Sequence, residues 1–113
     1  MARTIKVYRA QGTWVVRAGD AVVGESRNAL ELDESGYHPV IYFPRADLAM
    51  AFIEPSATTS TCPWKGQASY WNIVTPGGII RDAGWSYENP KDSVAQIAGH
   101  IAFYPEKVTV ERV

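Results

Sequence analysis

The chain has 113 residues, with 11 Lys and Arg against 12 Asp and Glu, a formal net charge of −1. That length fits one domain with a core of its own, spanning 1–113, and 46% apolar residues is too many for a disordered chain. The near balance of charge removes the footprint of a general nucleic-acid or acidic-membrane binder, and the single cysteine, Cys62, excludes an internal disulfide framework or a cysteine-cluster zinc site.

Met1-Ala2-Arg3-Thr4 leads straight into an alternating segment instead of an apolar signal core. No apolar run approaches the roughly 18–20 residues that cross a bilayer. The expectation is a cytoplasmic protein with no membrane contact, where a lone thiol stays reduced.

Period-two patterns then dominate. Ile5 and Val7 alternate with Lys6 and Tyr8, Gln11-Gly12 turns the chain, and Thr13 to Arg17 forms the next strand. Ala18-Gly19-Asp20 is a second turn and Ala21 to Gly24 resumes, which together read as a β-meander. Ala29 to Leu32 is a further short strand, Asp33-Glu34-Ser35-Gly36 breaks it, and Pro39 to Phe43 returns to strand. Pro44 to Asp47 turns the chain, followed by a short strand or helical turn through Met50 to Ile53. From Glu54 to Gly66 the Pro-, Ser- and Thr-rich composition reads as loop. Gln67 to Val74 alternates again, with Ala68, Tyr70 and Asn72 on one face and Ser69, Trp71 and Ile73 on the other. Thr75-Pro76-Gly77-Gly78 is a turn before a strand from Ile79 to Asp82.

One helix is expected over about 90–98. Asn89 can cap it, Pro90 suits its first position, and Val94, Ile97, Ala98 and Ile101 share one face. His100 to Tyr104 and Lys107 to Val113 read as closing strands. The fold expected is mainly β: one compact domain of short antiparallel strands in curved or packed sheets, with that single late helix.

The common catalytic signatures are absent. There is no phosphate loop, no G-x-G-x-x-G, no H-E-x-x-H and no G-x-S-x-G, so no nucleotide cofactor and no metal are expected. The two histidines, His38 and His100, lie far apart in the chain. Gly24-Glu25-Ser26 followed by Glu31-Leu32-Asp33 is too short in spacing for a nucleotidyl-transfer motif and reads as a solvated strand edge.

The densest unusual stretch is Thr58 to Gly66. Pro63 fits the second position of a turn begun by Cys62, Gly66 fits a positive φ just after it, and successive N–H groups of such a turn favour an anion. Lys65 adds a positive charge, which lowers the pKa of a nearby thiol. Cys62 and Lys65 are therefore the catalytic candidates, as nucleophile or redox thiol and as anion anchor or amine nucleophile. The alternative for Cys62 is a small buried apolar side chain, and for Lys65 a solvated turn residue. Trp64, Tyr70, Trp71, Trp85, Tyr87, Phe103 and Tyr104 crowd the second half of the chain and suit either a pocket wall with polar tips or a small β core. Arg45, Asp47, Glu54, Asp82 and Glu88 could flank a pocket, or Arg45 could pair with Asp47 or Glu54.

Tyr42-Phe43-Pro44-Arg45, Glu54-Pro55, Thr61-Cys62-Pro63-Trp64-Lys65-Gly66-Gln67-Ala68-Ser69-Tyr70-Trp71, Ala83-Gly84-Trp85-Ser86-Tyr87-Glu88-Asn89-Pro90 and Ile101-Ala102-Phe103-Tyr104-Pro105 together resemble the DUF427 family of small bacterial proteins. The resemblance runs from about residue 12 to 112. It implies a compact mainly-β domain without an established activity, and it centres attention on the Cys62–Gly66 turn. The leading expectation is a small-molecule-binding domain, enzymatic or not. Its pocket would be lined by Trp64, Trp71, Trp85, Tyr87 and Tyr104, with Lys65 and Arg45 holding an anionic group and Cys62 at the rim. The alternative is a non-catalytic module with an exposed aromatic patch, used for instance to form a homodimer.

Overall fold

The computed structural model describes residues 4–113, so Met1, Ala2 and Arg3 of the N-terminal stretch lie outside the described residues. The strands are β1 Ile5–Arg9, β2 Trp14–Ala18, β3 Ala21–Ser26, β4 Leu30–Glu34, β5 Val40–Phe43, β6 Ile53–Cys62, β7 Gly66–Thr75, β8 Gly78–Ser86, β9 Ile101–Phe103 and β10 Thr109–Arg112. They form two antiparallel sheets: a seven-stranded one ordered β1-β4-β5-β9-β8-β7-β6 and a three-stranded one ordered β10-β2-β3. The mainly-β architecture expected from the period-two pattern is the one observed.

Side-chain alternation decides what each face of the large sheet meets. Ile41, Phe43, Ile73, Ile101 and Phe103 pack with Val16, Ala18 and Val23 of the small sheet, which makes a sandwich core. The alternate positions, Leu32, Tyr42, Ala68, Tyr87 and Ala102, form a second cluster on the other face. Among the described residues, no sheet covers that face. Val94 and Ile97 plug part of it, and both are fully buried.

Irregular pairing bends the large sheet. Register slips between Pro55 and Thr59 in β6 and between Trp71 and Ile73 in β7, and such bulges increase twist and kink the strand. At the second slip Asp82 holds φ +48, and its N–H donates to Asn72 Oδ1 at 2.8 Å. Its carboxylate accepts from Thr58 Oγ1 at 2.8 Å, so β6, β7 and β8 are tied across the bend by side chains.

Two local expectations change. The residues expected as a helix over 90–98 form 3-10 turns from Asp92 to Ile97, with Val94 outside helical geometry (φ −128, ψ 27), and Lys91 instead of Asn89 precedes them. Both ends are tethered: the Lys91 N–H donates to the Lys65 carbonyl, and the Gly99 N–H to the Tyr87 carbonyl. A 3-10 turn rises about 2.0 Å per residue against about 1.5 Å for an α-helix, so it spans fixed endpoints with fewer residues. It also stacks i and i+3, which sends Val94 and Ile97 to the same side. Ala98, expected on that face, is exposed. The second change is β6, a ten-residue strand where a loop was expected. It is an edge strand whose backbone, among the described residues, pairs with β7 alone, so its side chains are largely solvated and carry no apolar alternation, and Pro55 is tolerated.

β9 lies close against β8 at Gly84, where a Cβ would stand 2.7 Å from the Ala102 carbonyl oxygen and 3.0 Å from the Phe103 ring. On its other side β9 pairs with β5 only at Tyr42–Ala102 and Phe43–Ile101. The Gly84→Ala variant should therefore lose about 1–3 kcal/mol of stability by overpacking, read as a lower midpoint in urea with unchanged slope. An unchanged midpoint would mean that β8 and β9 separate there without cost.

Candidate functional site

The open face of the large sheet carries a cleft of about 430 Å³, within the range of small-molecule sites. Strand alternation builds it. Leu32 and Glu34 come from β4, Val40 and Tyr42 from β5, Tyr70 from β7, and Trp85 from β8, with Tyr87 and Tyr104 continuing the same period just beyond β8 and β9. Tyr37 and His38 enter from the β4–β5 loop, and Lys65 from the turn between β6 and β7.

That turn has the geometry read from its residues. The Lys65 N–H closes it onto the Cys62 carbonyl at 3.2 Å, and Gly66 follows with φ +119. The Lys65 N–H is thus spent inside the turn and is not aimed at an anion. Lys65 reaches across the cleft instead, with Nζ 2.9 Å from Glu34 Oε1, and the two side chains are only 12% and 9% exposed. Cys62 is half-buried behind this pair, with Sγ 3.6 Å from Lys65 Nζ.

The aromatic wall is continuous. The Trp85 ring lies 4.5 Å from that of Tyr104 and meets Tyr42 edge-on at 6.3 Å, with its indole N–H donating to the Tyr42 hydroxyl at 3.2 Å. Burial pushes the phenols of Tyr42, Tyr87 and Tyr104 well above the usual tyrosine range. At neutral pH the cleft therefore presents protonated phenol hydroxyls beside the Lys65–Glu34 pair.

Lys65, Trp85, Tyr87 and Tyr104 thus line one cleft, with Cys62 beside it. Arg45 and Trp71 stand elsewhere, because Trp71 alternates to the sandwich-core face. Arg45 stacks 4.8 Å over the Trp71 ring and makes two bonds to Glu88, at 3.0 and 2.6 Å. Ser86, fully buried, accepts from the Trp71 indole at 2.9 Å and donates to Glu88. The anion clamp expected from Lys65 and Arg45 together is not assembled, since each cation faces its own carboxylate. Nor does Arg45 pair with Asp47 or Glu54: Asp47 accepts from Ser26 Oγ at 2.6 Å. Trp64 is 46% exposed on the outside of its turn.

Glu34, expected in a break after Leu32, is instead the last residue of β4 and was not among the candidate site residues. Sequence reading also missed Tyr37, His38, Leu32, Val40 and Tyr42. Extending the Leu30-Leu32 alternation by one step gives Glu34, and the same period from Val40 gives Tyr42. Among the described residues, no group of three or more His, Cys, Asp or Glu is placed to hold a metal ion, and no helix is long and apolar enough to cross a membrane.

With this arrangement in view, comparison with known families matches residues 6–113 to a domain of unknown function, DUF427. The chain belongs to that family. No curated protein matches it.

The Arg45 network has a pH signature. Burial alone would raise the Glu88 carboxyl, but the Ser86 hydroxyl and the Arg45 guanidinium outweigh it and hold it below its ordinary value of 4.5. A depressed folded value contributes stability above 4.5 that is lost as the pH falls through the folded value. Denaturant titrations from neutral pH downward should show stability falling below pH 4.5 more steeply in wild type than in Glu88→Gln. Parallel curves would contradict this role for Glu88.

Proposed function

We propose that this DUF427 domain binds a small molecule in the cleft between the Cys62–Gly66 turn and the end of β4. The observation that carries the reading is the nearly buried Lys65–Glu34 pair on the cleft wall. Removing two charges from water is costly, and apolar residues of similar size would hold the turn at least as well. Placed beside protonated phenols and the Trp85–Tyr104 wall, the pair offers a ligand both a donor and an acceptor next to an apolar surface. Cys62 and Lys65 are the nucleophile candidates at this site, and no base adjacent in sequence marks either as activated. Arg45 and Trp71 fall outside this proposal, and Trp64 flanks it.

A thermal-shift screen of metabolites tests the reading. A compound that raises the wild-type Tm should bind at least about tenfold more weakly to Lys65→Met and to Tyr104→Ala, and normally to Arg45→Met, since one hydrogen bond to a charged group carries about 1.5–3 kcal/mol. Tyr104→Ala leaves the ion pair intact and so covers loss of folding in Lys65→Met. A shift that survives in both cleft variants, or disappears only in Arg45→Met, would contradict the proposal.

A second reading, a module joining copies of this chain, draws on another surface. Val22, Phe52, Val74 and Ile79 are exposed and lie near one another beside Ala21 and Pro76. Grouped exposed apolar side chains mark interaction surfaces. The sequence had placed such a patch on the second-half aromatics, but Tyr87 is buried and Trp71, Trp85 and Tyr104 are half-buried. Sedimentation over a concentration series should show a dimer that Phe52→Asp dissociates. A monomer throughout would remove this reading.

A further inference from the structure

The cleft does not end at the sheet. Its residues His38, Val40 and Trp85 also line a second cavity of about 500 Å³, together with Trp14, Phe103 and Val110. Trp14 and Val110 belong to the small sheet, and Phe103 to the sandwich core, so this cavity reaches the other side of the large sheet where β5 begins and β9 ends. The pairing explains the connection. β5 and β9 share two rungs, at Tyr42–Ala102 and Phe43–Ile101. The next rung would join Ile41 to Phe103. It is missing, although Ile41 keeps its outward partner Glu31 and Phe103 its partner Gly84, so β5 and β9 part beyond Tyr42–Ala102.

The two cavities differ in chemistry. The first holds the Lys65–Glu34 pair and the phenols. The second is apolar apart from Glu31 and His38, and Glu31 already accepts from the Tyr8 hydroxyl.

We propose that the ligand is an elongated amphipathic molecule whose uncharged head, carrying both a donor and an acceptor as a carboxamide does, meets Lys65 and Glu34, and whose apolar tail runs past His38, Val40 and Trp85, where β5 begins and β9 ends, to Trp14 and Val110. This rests on the cleft being a binding site and adds the ligand's length and polarity. An uncharged head follows from the pair itself: Lys65 and Glu34 cancel, so an anion or cation gains from one what it loses to the other. A carboxamide satisfies both, its carbonyl accepting from Nζ and its NH₂ donating to the carboxylate. An apolar tail follows from the second cavity, whose lining beyond His38, Val40 and Trp85 includes Trp14, Ile41, Phe103 and Val110.

The n-alkanamides from butanamide to octanamide are the probes, read by the indole N–H resonances of the four tryptophans. Butanamide should shift Trp85 alone, whereas octanamide should shift Trp85 and Trp14 and leave Trp71 unmoved. Affinity should rise by up to about fourfold per methylene, the transfer of one CH₂ from water. Val110→Phe, which fills the second cavity, should abolish the advantage of octanamide and leave butanamide binding unchanged. Ile41→Phe gives the same readout from the opposite wall should Val110→Phe fail to fold. Octanamide binding no tighter than butanamide, or leaving Trp14 unshifted while butanamide still moves Trp85, would overturn the tail and spare the cleft. Binding of neither amide would overturn the head as well, and the metabolite screen then judges the cleft independently.

Discussion

The ion pair between Lys65 and Glu34 joins two parts of the large sheet that strand order keeps apart. β4 is second in that sheet and β7 sixth, with β5, β9 and β8 between them. On a flat sheet, four strand spacings would separate them by about 19 Å. The ammonium nevertheless lies 2.9 Å from the carboxylate. The sheet must therefore curl until the β6–β7 turn overhangs the end of β4. The bulges that bend β6, β7 and β8, tied through Asn72, Asp82 and Thr58, supply that curl. The 3-10 segment is part of the same arrangement: it fills the concave side with Val94 and Ile97 and holds the turn through the Lys65 carbonyl.

Curling one sheet against a smaller one gives its two faces different fates. The face toward β10-β2-β3 is closed by aliphatic and aromatic packing, in which Phe43 and Phe103 meet edge to face at 5.9 Å. The concave face has too little covering chain, so aromatic residues with polar tips line what remains. Arg45, Ser86, Glu88 and Trp71 belong to the closed side and fix the 3-10 turn Arg45–Asp47, just after β5, to the end of β8. Two cation–carboxylate pairs thus do different work: one lies at a packed seam, the other at an open wall.

Much of the fold was legible because period-two alternation is local. The Ala68/Tyr70 and Trp71/Ile73 division of β7 falls on opposite faces as its residues indicate. β6 was not legible, since an edge strand of Ser and Thr has no buried face to impose a pattern. The late helix was misread because its tethers to Lys65 and Tyr87 come from distant chain. Within the site, the Cys62–Gly66 turn announced itself by composition, but its partner did not. Which carboxylate lies opposite Lys65 depends on strand order and curl, and neither is a property of the residues around Lys65. The same is true of Arg45, whose partner Glu88 lies 43 positions away.

The central claim is that the Lys65–Glu34 pair is a buried, mutually dependent unit kept at the cleft wall for a reason other than stability. A double-mutant cycle in urea with Lys65→Met, Glu34→Met and both together tests it directly. Each single change should cost about 3–5 kcal/mol, because it strands one charge out of water, while the double variant should return to wild-type stability or above. Two small single losses that simply add in the double variant would show two independent solvated side chains, and would contradict the account.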